Sequence, residues 1–295
     1  MLLDELKSVA ALHVPGQGRI DIHRLSEGLV NETYRVRRDG VAYVLRVSAS
    51  THGDLGLDHV WEARVLERAV LGGLAPAIEY CDPRRGILIA RWIDGRSWSP
   101  ADVRRPSNIS RMAALMRRIH ALAMPMPARV MSPRTWIEQY AAALPNVTPA
   151  LRAAAASRLG ALAELPGADS VLCHSDLHTL NLIDCGDSLV LLDWEYAHAA
   201  DPLWDLAGWS ANNDLEDALT HGLLASYVDR APTAQEHSRL QLVGWLYDYV
   251  CLLWSELYLN RPHGAQLGGA SAGIDMRDGV SARARLLAAR LGASM

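Results

Sequence analysis

The sequence predicts an α+β protein of two lobes: a small N-terminal antiparallel β-sheet lobe with one helix, and a large, mainly α-helical C-terminal lobe. Three observations carry that prediction. Two-residue alternation broken by Gly- and Pro-containing turns dominates up to residue 90, and helical spacing dominates from residue 109 onward. A short Gly-ended segment, R-W-I-D-G at 91–95, stands between the two patterns and reads as a hinge. The expected lobes are therefore 1–91 and 92–295.

In chain order, residues 19–24 (R-I-D-I-H-R) and 32–38 alternate in strand fashion around the loop L-S-E-G-L-V-N at 25–31. Residues 42–47 (A-Y-V-L-R-V) form a third strand after the turn R-D-G at 38–40. A loop carrying Gly28 between two strands can lie over phosphates, and one glycine in such a place is more often a plain hairpin turn. Residues 58–71 have helical periodicity, with Val60, Ala63, Leu66 and Val70 on one face, and stop at Gly72-Gly73 ahead of Pro76. Strands follow at 77–81 and 86–90, joined by D-P-R-R. Helices are predicted at 109–123, 133–144, 149–165, 203–210, 215–228, 235–259 and 276–291, with short apolar strands at 171–173, 182–183 and 188–192. The Gly-rich, polar stretch 260–273 reads as a mobile loop.

With 295 residues, 50% hydrophobic and 21% charged, the chain can bury a substantial core. A net charge of -4 with no basic run gives no electrostatic case for nucleic acid or an anionic membrane, which leaves a small-molecule substrate. Cys81, Cys173, Cys185 and Cys251 lack C-x-x-C spacing, so neither a zinc site nor a disulfide framework is indicated, and a reducing cytoplasm is expected. The N-terminal M-L-L-D-E-L-K puts acids where a secretion signal carries bases. The most apolar long segment, 240–259, contains Asp248 and Glu256 and so reads as a buried helix, not a membrane span.

The chemistry concentrates between Cys173 and Asp193. His174, Asp176 and Asn181 stand in the spacing H-x-D-x-x-x-x-N, which matches the catalytic loop of kinase-type phosphoryl-transfer enzymes, and the next strand ends at Asp193. Moving a phosphoryl group requires hard oxygen ligands for Mg²⁺ and a carboxylate for the attacking hydroxyl, all within a few ångströms. Asp176 is the candidate catalytic carboxylate, and Asn181 and Asp193 are the candidate metal ligands. Singly, Asp176 is as well a turn cap and Asp193 a helix N-cap; their joint spacing favours the chemical reading.

Five ordered blocks between Leu25 and Glu256 resemble the aminoglycoside phosphotransferase and choline kinase superfamily, closest to its choline, ethanolamine and thiamine kinase branch. They are S-E-G-L-V-N-E-T-Y-R-V, Y-V-L-R-V, E-A-R-V-L-E-R-A-V-L-G-G-L-A-P, C-H-S-D-L-H-T-L-N and L-D-W-E-Y-A-H-A-A-D-P-L-W-D-L-A. The resemblance implies a protein-kinase-like two-lobe fold and an ATP- and Mg²⁺-dependent small-molecule kinase. It implies that Ser26, Gly28 and Asn31 belong to the nucleotide-covering loop, that Arg46 holds phosphates and pairs with Glu62, and that Arg91, Trp92 and Ile93 receive the adenine. Glu27 stands where the family commonly has a second glycine, and its charge requires it to point away from phosphates. His174 and Asp205 are expected to brace the catalytic loop, and His178 to be a solvated loop histidine. Glu195, two residues after Asp193, is typical of the metabolic branch, where antibiotic kinases usually carry glycine.

For the acceptor, Tyr247, Cys251, Trp254 and Tyr258 form one stripe along helix 235–259, suited to a cationic alcohol and equally suited to plain core. Glu195, Trp209, Tyr247 and Trp254 are the candidate acceptor residues. Two other readings stay open: an aminoglycoside phosphotransferase using Asp214, Glu216 and Asp217 for a polycation, and a catalytically silent nucleotide-binding regulatory protein.

Overall fold

The computed structural model describes residues 3–27, 31–48, 55–144, 147–261 and 272–292. An N-terminal helix α1 (Leu3–His13) leads into strands β1 (Asp21–Glu27), β2 (Asn31–Arg38) and β3 (Val41–Ser48), helix α2 (His59–Leu71), and strands β4 (Ile78–Asp82) and β5 (Ile87–Arg91). The five strands form one antiparallel sheet in the order β1-β2-β3-β5-β4. Asp39 and Gly40, at φ of 51° and 80°, make the two-residue turn between β2 and β3, the left-handed pair that a tight hairpin requires.

The pleat of this sheet decides what faces the cleft. Tyr43, Leu45 and Val47 of β3 point to one side with Val36 of β2 and Ile87 and Ile89 of β5, and there they bury Leu6, Val9 and Ala10 of α1. Val44 and Arg46 alternate onto the opposite face, in register with Ala90 and Leu88. Helix α1 was not foreseen from the sequence, although its apolar residues recur at helical spacing.

Helix α2 starts where expected: Asp58 caps it by accepting from the backbone of Val60 and Trp61. Its inward face differs from the expected one. Trp61, Val65, Leu66 and Ala69 are buried, and Val60 is 49% exposed. The Trp61 indole donates to Ala197 O at 2.7 Å, a bond to the far part of the chain that fixes the rotation of the helix. These α2 residues belong to the same core as the helical part, whereas the sheet and α1 form a second, smaller core.

The remaining chain contains α3 (Pro100–Val103), α4 (Pro106–His120), α5 (Pro133–Ala142) and α6 (Pro149–Glu164), each opening on a proline whose missing N–H costs nothing at that position. Then come β6 (Val171–Cys173), a 3-10 turn at Thr179–Asn181, β7 (Leu182–Asp184), β8 (Leu189–Leu191) and β9 (His198–Ala200). Helices α7 (Leu203–Asn212), α8 (Asp217–Val228), α9 (Ala234–Leu259) and α10 (Ala272–Arg290) complete the chain. Strand β9, which pairs with β6, and the short α3 were not foreseen. Helix α9 opens on a Thr233–Glu236 capping box and is buried around most of its circumference, packed by α5, α6, α7 and α10. No helix among the described residues is long and apolar enough to cross a membrane. Most of the expected mobile loop, residues 262–271, lies outside the described residues.

The segment after β5 passes so close to β7 that a Cβ on Gly95 would sit 2.5 Å from Ile183 Cγ2 and 2.7 Å from Asp184 O, so only glycine fits. Reciprocal backbone bonds between Arg96 and Asp184 fasten this crossing. The cleft between the sheet and the helical part opens directly beside it.

Candidate active site

Strand β6 delivers the chain into the loop 174–181, and one carboxylate sets that loop's shape. Asp205, in the first turn of α7, accepts from the backbone N–H of His174 at 2.9 Å and of Ser175 at 2.7 Å, and lies 3.2 Å from His120 Nε2. These bonds hold Ser175 at a φ of 70°, a left-handed conformation that costs a non-glycine residue about 1–2 kcal/mol. Burial works to raise the Asp205 carboxyl, and His120 and the loop donors more than offset this, leaving it below its ordinary value. His174 is buried, with Nε2 2.9 Å from Leu192 O and Nδ1 accepting from the Asp176 backbone at 3.3 Å, which makes it a brace for the loop.

The Asp176 side chain lines the cleft. Asn181 Nδ2 donates to its Oδ2 at 3.0 Å, and His178 Nε2 lies 3.5 Å away. Burial would raise this carboxyl; His178, His174 and Asn181 outweigh it and keep the group below the usual carboxylate range, so it is ionised near neutral pH. His178 is not the solvated residue expected from the sequence. It lines the cavity beside Asp176, whose charge overcomes the effect of burial and raises the imidazole above its ordinary value.

On the sheet side, Arg46 reaches down from β3 into an acidic cluster. Its Nη2 lies 2.7 Å from both carboxylate oxygens of Glu62, its Nη1 donates to Asp193 at 2.6 Å, and Glu195 stands 3.9 Å from that same nitrogen. Burial alone would lower the arginine; Glu62, Asp193 and Glu195 raise it instead. Asp193 follows β8 at a φ of 59°, and its carboxyl is raised, first by burial and further by the charges of Glu62 and Asp176. Glu195 is pushed well above its ordinary value, by burial first and by Asp193 next. Asn31, at the start of β2, donates to Glu195 at 2.9 Å.

The groups needed to hold a metal are grouped here. Three carboxylates surround one guanidinium, and burial first, with the neighbouring carboxylates next, raises Asp193 and Glu195. Asn181 uses its amide N–H groups on Asp176, and its amide oxygen has no protein partner among the described residues. Hard oxygen donors with surplus negative charge fit Mg²⁺. A separate group of His120, Cys173 and Asp205 brings ligand-type atoms within 4.8 Å of one another, but Asp205 is already committed to the loop donors. All four cysteines are free.

Arg46, Asp176, Asn181, Asp193 and Glu195 share a cavity of about 840 Å³. Its sheet end is apolar, with Val44, Leu88, Ala90 and Ile183, and is bordered by Arg91, Trp92 and Ile93. The Arg35 guanidinium lies 4.3 Å from the Trp92 ring centroid, and Arg91 pairs with Glu79 at 2.6 Å. The helical end carries Tyr196, Tyr247, Cys251 and Trp254, with the Trp254 indole donating to the Tyr196 hydroxyl at 2.8 Å.

Of the residues singled out in the sequence, Asn31, Arg46, Arg91, Trp92, Ile93, Asp176, Asn181, Asp193, Glu195, Tyr247 and Trp254 line this cavity. Glu62 sits behind Arg46, and His174 and Asp205 lie beneath the loop. Trp209 is not brought to the cavity: it is fully buried, edge-on to Trp98 with ring centroids 5.9 Å apart. Gly28 lies outside the described residues, and Ser26 contributes its backbone to the pairing of β1 with Thr33. The lining residues missed from the sequence include Trp136, Tyr140, Tyr196, Asn212 and Arg283. Trp136 and Tyr140 carried a readable signal, an aromatic pair four residues apart on one helix.

A family model described as phosphotransferase enzyme family matches residues 21–242. Protein LicA of Haemophilus influenzae is 24% identical over 256 residues, covering 82% of this chain and 74% of LicA. A solved choline/ethanolamine kinase family protein from Mesorhizobium loti superposes with a TM-score of 0.73 at 25% identity, covering 98% of this chain and 95% of the other. Choline kinase LicA from Streptococcus pneumoniae superposes at 0.74 with 21% identity, covering 96% and 98%. The shared architecture is the protein-kinase-like fold, with its antiparallel sheet of five strands and its helical C-terminal part. With that family match running over most of its length, the chain belongs to the phosphotransferase enzyme family, as a small-molecule kinase.

Proposed function

We propose that the protein transfers the γ-phosphoryl group of ATP, with Mg²⁺, to the hydroxyl of a small cationic metabolite such as a choline-, ethanolamine- or thiamine-like alcohol. The observation that carries this reading is the position of Asp176. It opens into a cavity with Arg46, Asn181 and Asp193 at one end and Tyr196, Tyr247 and Trp254 at the other.

In the proposed reaction the acceptor hydroxyl donates a hydrogen bond to the ionised Asp176. As its oxygen bonds to the γ-phosphorus, the bond from that phosphorus to the β–γ bridging oxygen breaks, the hydroxyl proton passes to Asp176, and ADP leaves. Arg46 holds phosphate oxygens with its planar fork, while Glu62 fixes the direction of that fork. Asn181 and Asp193 would hold Mg²⁺, which would neutralise phosphate charge. Val44, Leu88, Ala90 and Ile183 enclose the adenine beside residues 91–93. The division into a nucleotide-binding lobe, 1–91, and a catalytic lobe, 92–295, is part of this proposal.

Aromatic faces at the helical end suit a quaternary ammonium or thiazolium ion, at about 0.5–2 kcal/mol for each face. The acids an aminoglycoside would use are elsewhere: Asp214, Glu216 and Asp217 do not line the cavity, and Asp214 is bound by Arg290. A coupled ADP-release screen of choline, ethanolamine, thiamine and aminoglycosides at saturating Mg-ATP tests the reading. Turnover of a small cationic alcohol is expected; turnover of aminoglycosides alone, or of none, overturns it.

A further inference from the structure

Three arginines line the cavity, and two of them have acidic partners. Arg46 is held by Glu62 and Asp193, and Arg91 by Glu79. Arg283, on α10, has no carboxylate in ion-pair distance among the described residues. Its hydrogen bonds run from Nη2 alone, to Ala211 O at 3.3 Å and to Asn212 Oδ1 at 3.1 Å, with no partner for Nε or Nη1 among the described residues.

Its position is on the acceptor side. Asn212 connects it to the Tyr247 hydroxyl at 3.0 Å and to Leu177 O at 3.1 Å, so the guanidinium is anchored between the aromatic wall and the catalytic loop. Its charge acts on His178, beside Asp176, and on Cys251 of the lining. Asp248 on α9 also feels it, but that acid is engaged more closely by Arg290, whose Nη1 lies 3.6 Å away. An acceptor that fills this end removes water from the guanidinium. A purely cationic acceptor would leave that charge desolvated and unpaired, and would add a like charge to the same space, both unfavourable. An acceptor with its own anionic group removes both penalties, and the free edge of an arginine fork suits a carboxylate.

We propose that Arg283 is a specificity-determining residue that receives a carboxylate on the acceptor, making the preferred substrate a zwitterionic hydroxy-amine. The cationic end rests on the Tyr196, Tyr247 and Trp254 wall, the hydroxyl meets Asp176, and the carboxylate meets Arg283. This rests on the phosphotransferase reading given above and narrows its acceptor.

Matched acceptors test it: ethanolamine against serine, and choline against carnitine, each pair differing by a carboxylate-bearing substituent. The wild-type protein is expected to favour the carboxylated member of at least one pair in kcat/KM. Arg283→Gln, which keeps a donor for Ala211 O, is expected to lower that preference about 10- to 100-fold, mostly through KM. Arg283→Lys, with the charge but not the fork, is expected to fall between, and reads the same ratio if the glutamine variant does not fold. Rejection of both carboxylated alcohols while choline or ethanolamine turns over overturns the inference and leaves the phosphotransferase reading standing. So does an equal change for both members of a pair in the variants, which would leave Arg283 as a cap on the C-terminus of α7. Turnover of no alcohol overturns both.

Discussion

Asn31 and Glu195 are 164 residues apart in sequence and hydrogen bonded at 2.9 Å, both buried. The bond fastens Asn31, expected at the end of the nucleotide-covering loop and found at the start of β2, to the segment that presents Asp193. Since burial and Asp193 push the Glu195 carboxyl well above its ordinary value, its neutral form is the one the fold favours. Glu195→Gln should therefore be tolerated, with unfolding free energy within about 1 kcal/mol of wild type. Glu195→Ala should cost about 1–3 kcal/mol, because it leaves the Asn31 amide buried without an acceptor. Urea unfolding of the two variants separates these outcomes, and equal losses would refute the argument.

Asp176 and Asp193 are expected to fail differently. Asp176→Asn should lower kcat by about 10²–10⁴-fold while nucleotide still binds, as removal of a general base does. Asp193→Ala should abolish the Mg²⁺ dependence of nucleotide binding. Calorimetric titration with ADP, with and without Mg²⁺, next to single-turnover assays, gives both readouts; retained turnover in Asp176→Asn would sink its assignment.

Trp254 is half-buried at the helical end of the cavity and hydrogen bonded to Tyr196. Trp254→Leu should raise KM for a cationic acceptor by roughly 2- to 30-fold, with the KM for ATP unmoved. A shift in ATP KM of equal size would place the residue at the wrong end of the cavity.

His198 makes the fold acid-sensitive. Its Nδ1 lies 2.8 Å from Tyr196 O, and its Nε2 faces the indole N–H of Trp136 at 3.5 Å. Burial pushes this imidazole down to about 4. In the unfolded chain histidine titrates near 6.5, so between those values only the unfolded state takes up the proton. The contribution is whole above about pH 6.5 and is lost as pH falls toward 4, amounting to roughly 3 kcal/mol. Urea unfolding across that range should show the decline, and His198→Gln should flatten it.

The candidate groups of the loop 174–181 were readable in the sequence because they are local: His174, Asp176 and Asn181 lie within a single turn-sized stretch. The proline-led helices α5 and α6 and the short strands β6 to β8 were legible for the same reason, whereas the short α3 and β9 were not. What the sequence could not decide was which of two apolar options a tertiary partner would select. On α2 the stripe through Val60 lost to the stripe through Trp61 because Ala197 O, far along the chain, accepts from that indole. Trp209 and Trp254 are both aromatic residues on apolar helices, and only the packing of α7 and α9 sends one against Trp98 and the other to the cavity. Arg283 carried no local signal, since its meaning comes from the acids that are not beside it.

The sharing of α2 with the larger core gives the molecule a mechanical seam that differs from its covalent one. Glu62 travels with the helical body and Arg46 with the sheet, so their bidentate bond bridges two separately packed units. Any rocking of the sheet must stretch that bond or carry α2 along. That bidentate bond is thereby also a gauge of the angle between the two units, and amide exchange in β3 is the place where its release would first register.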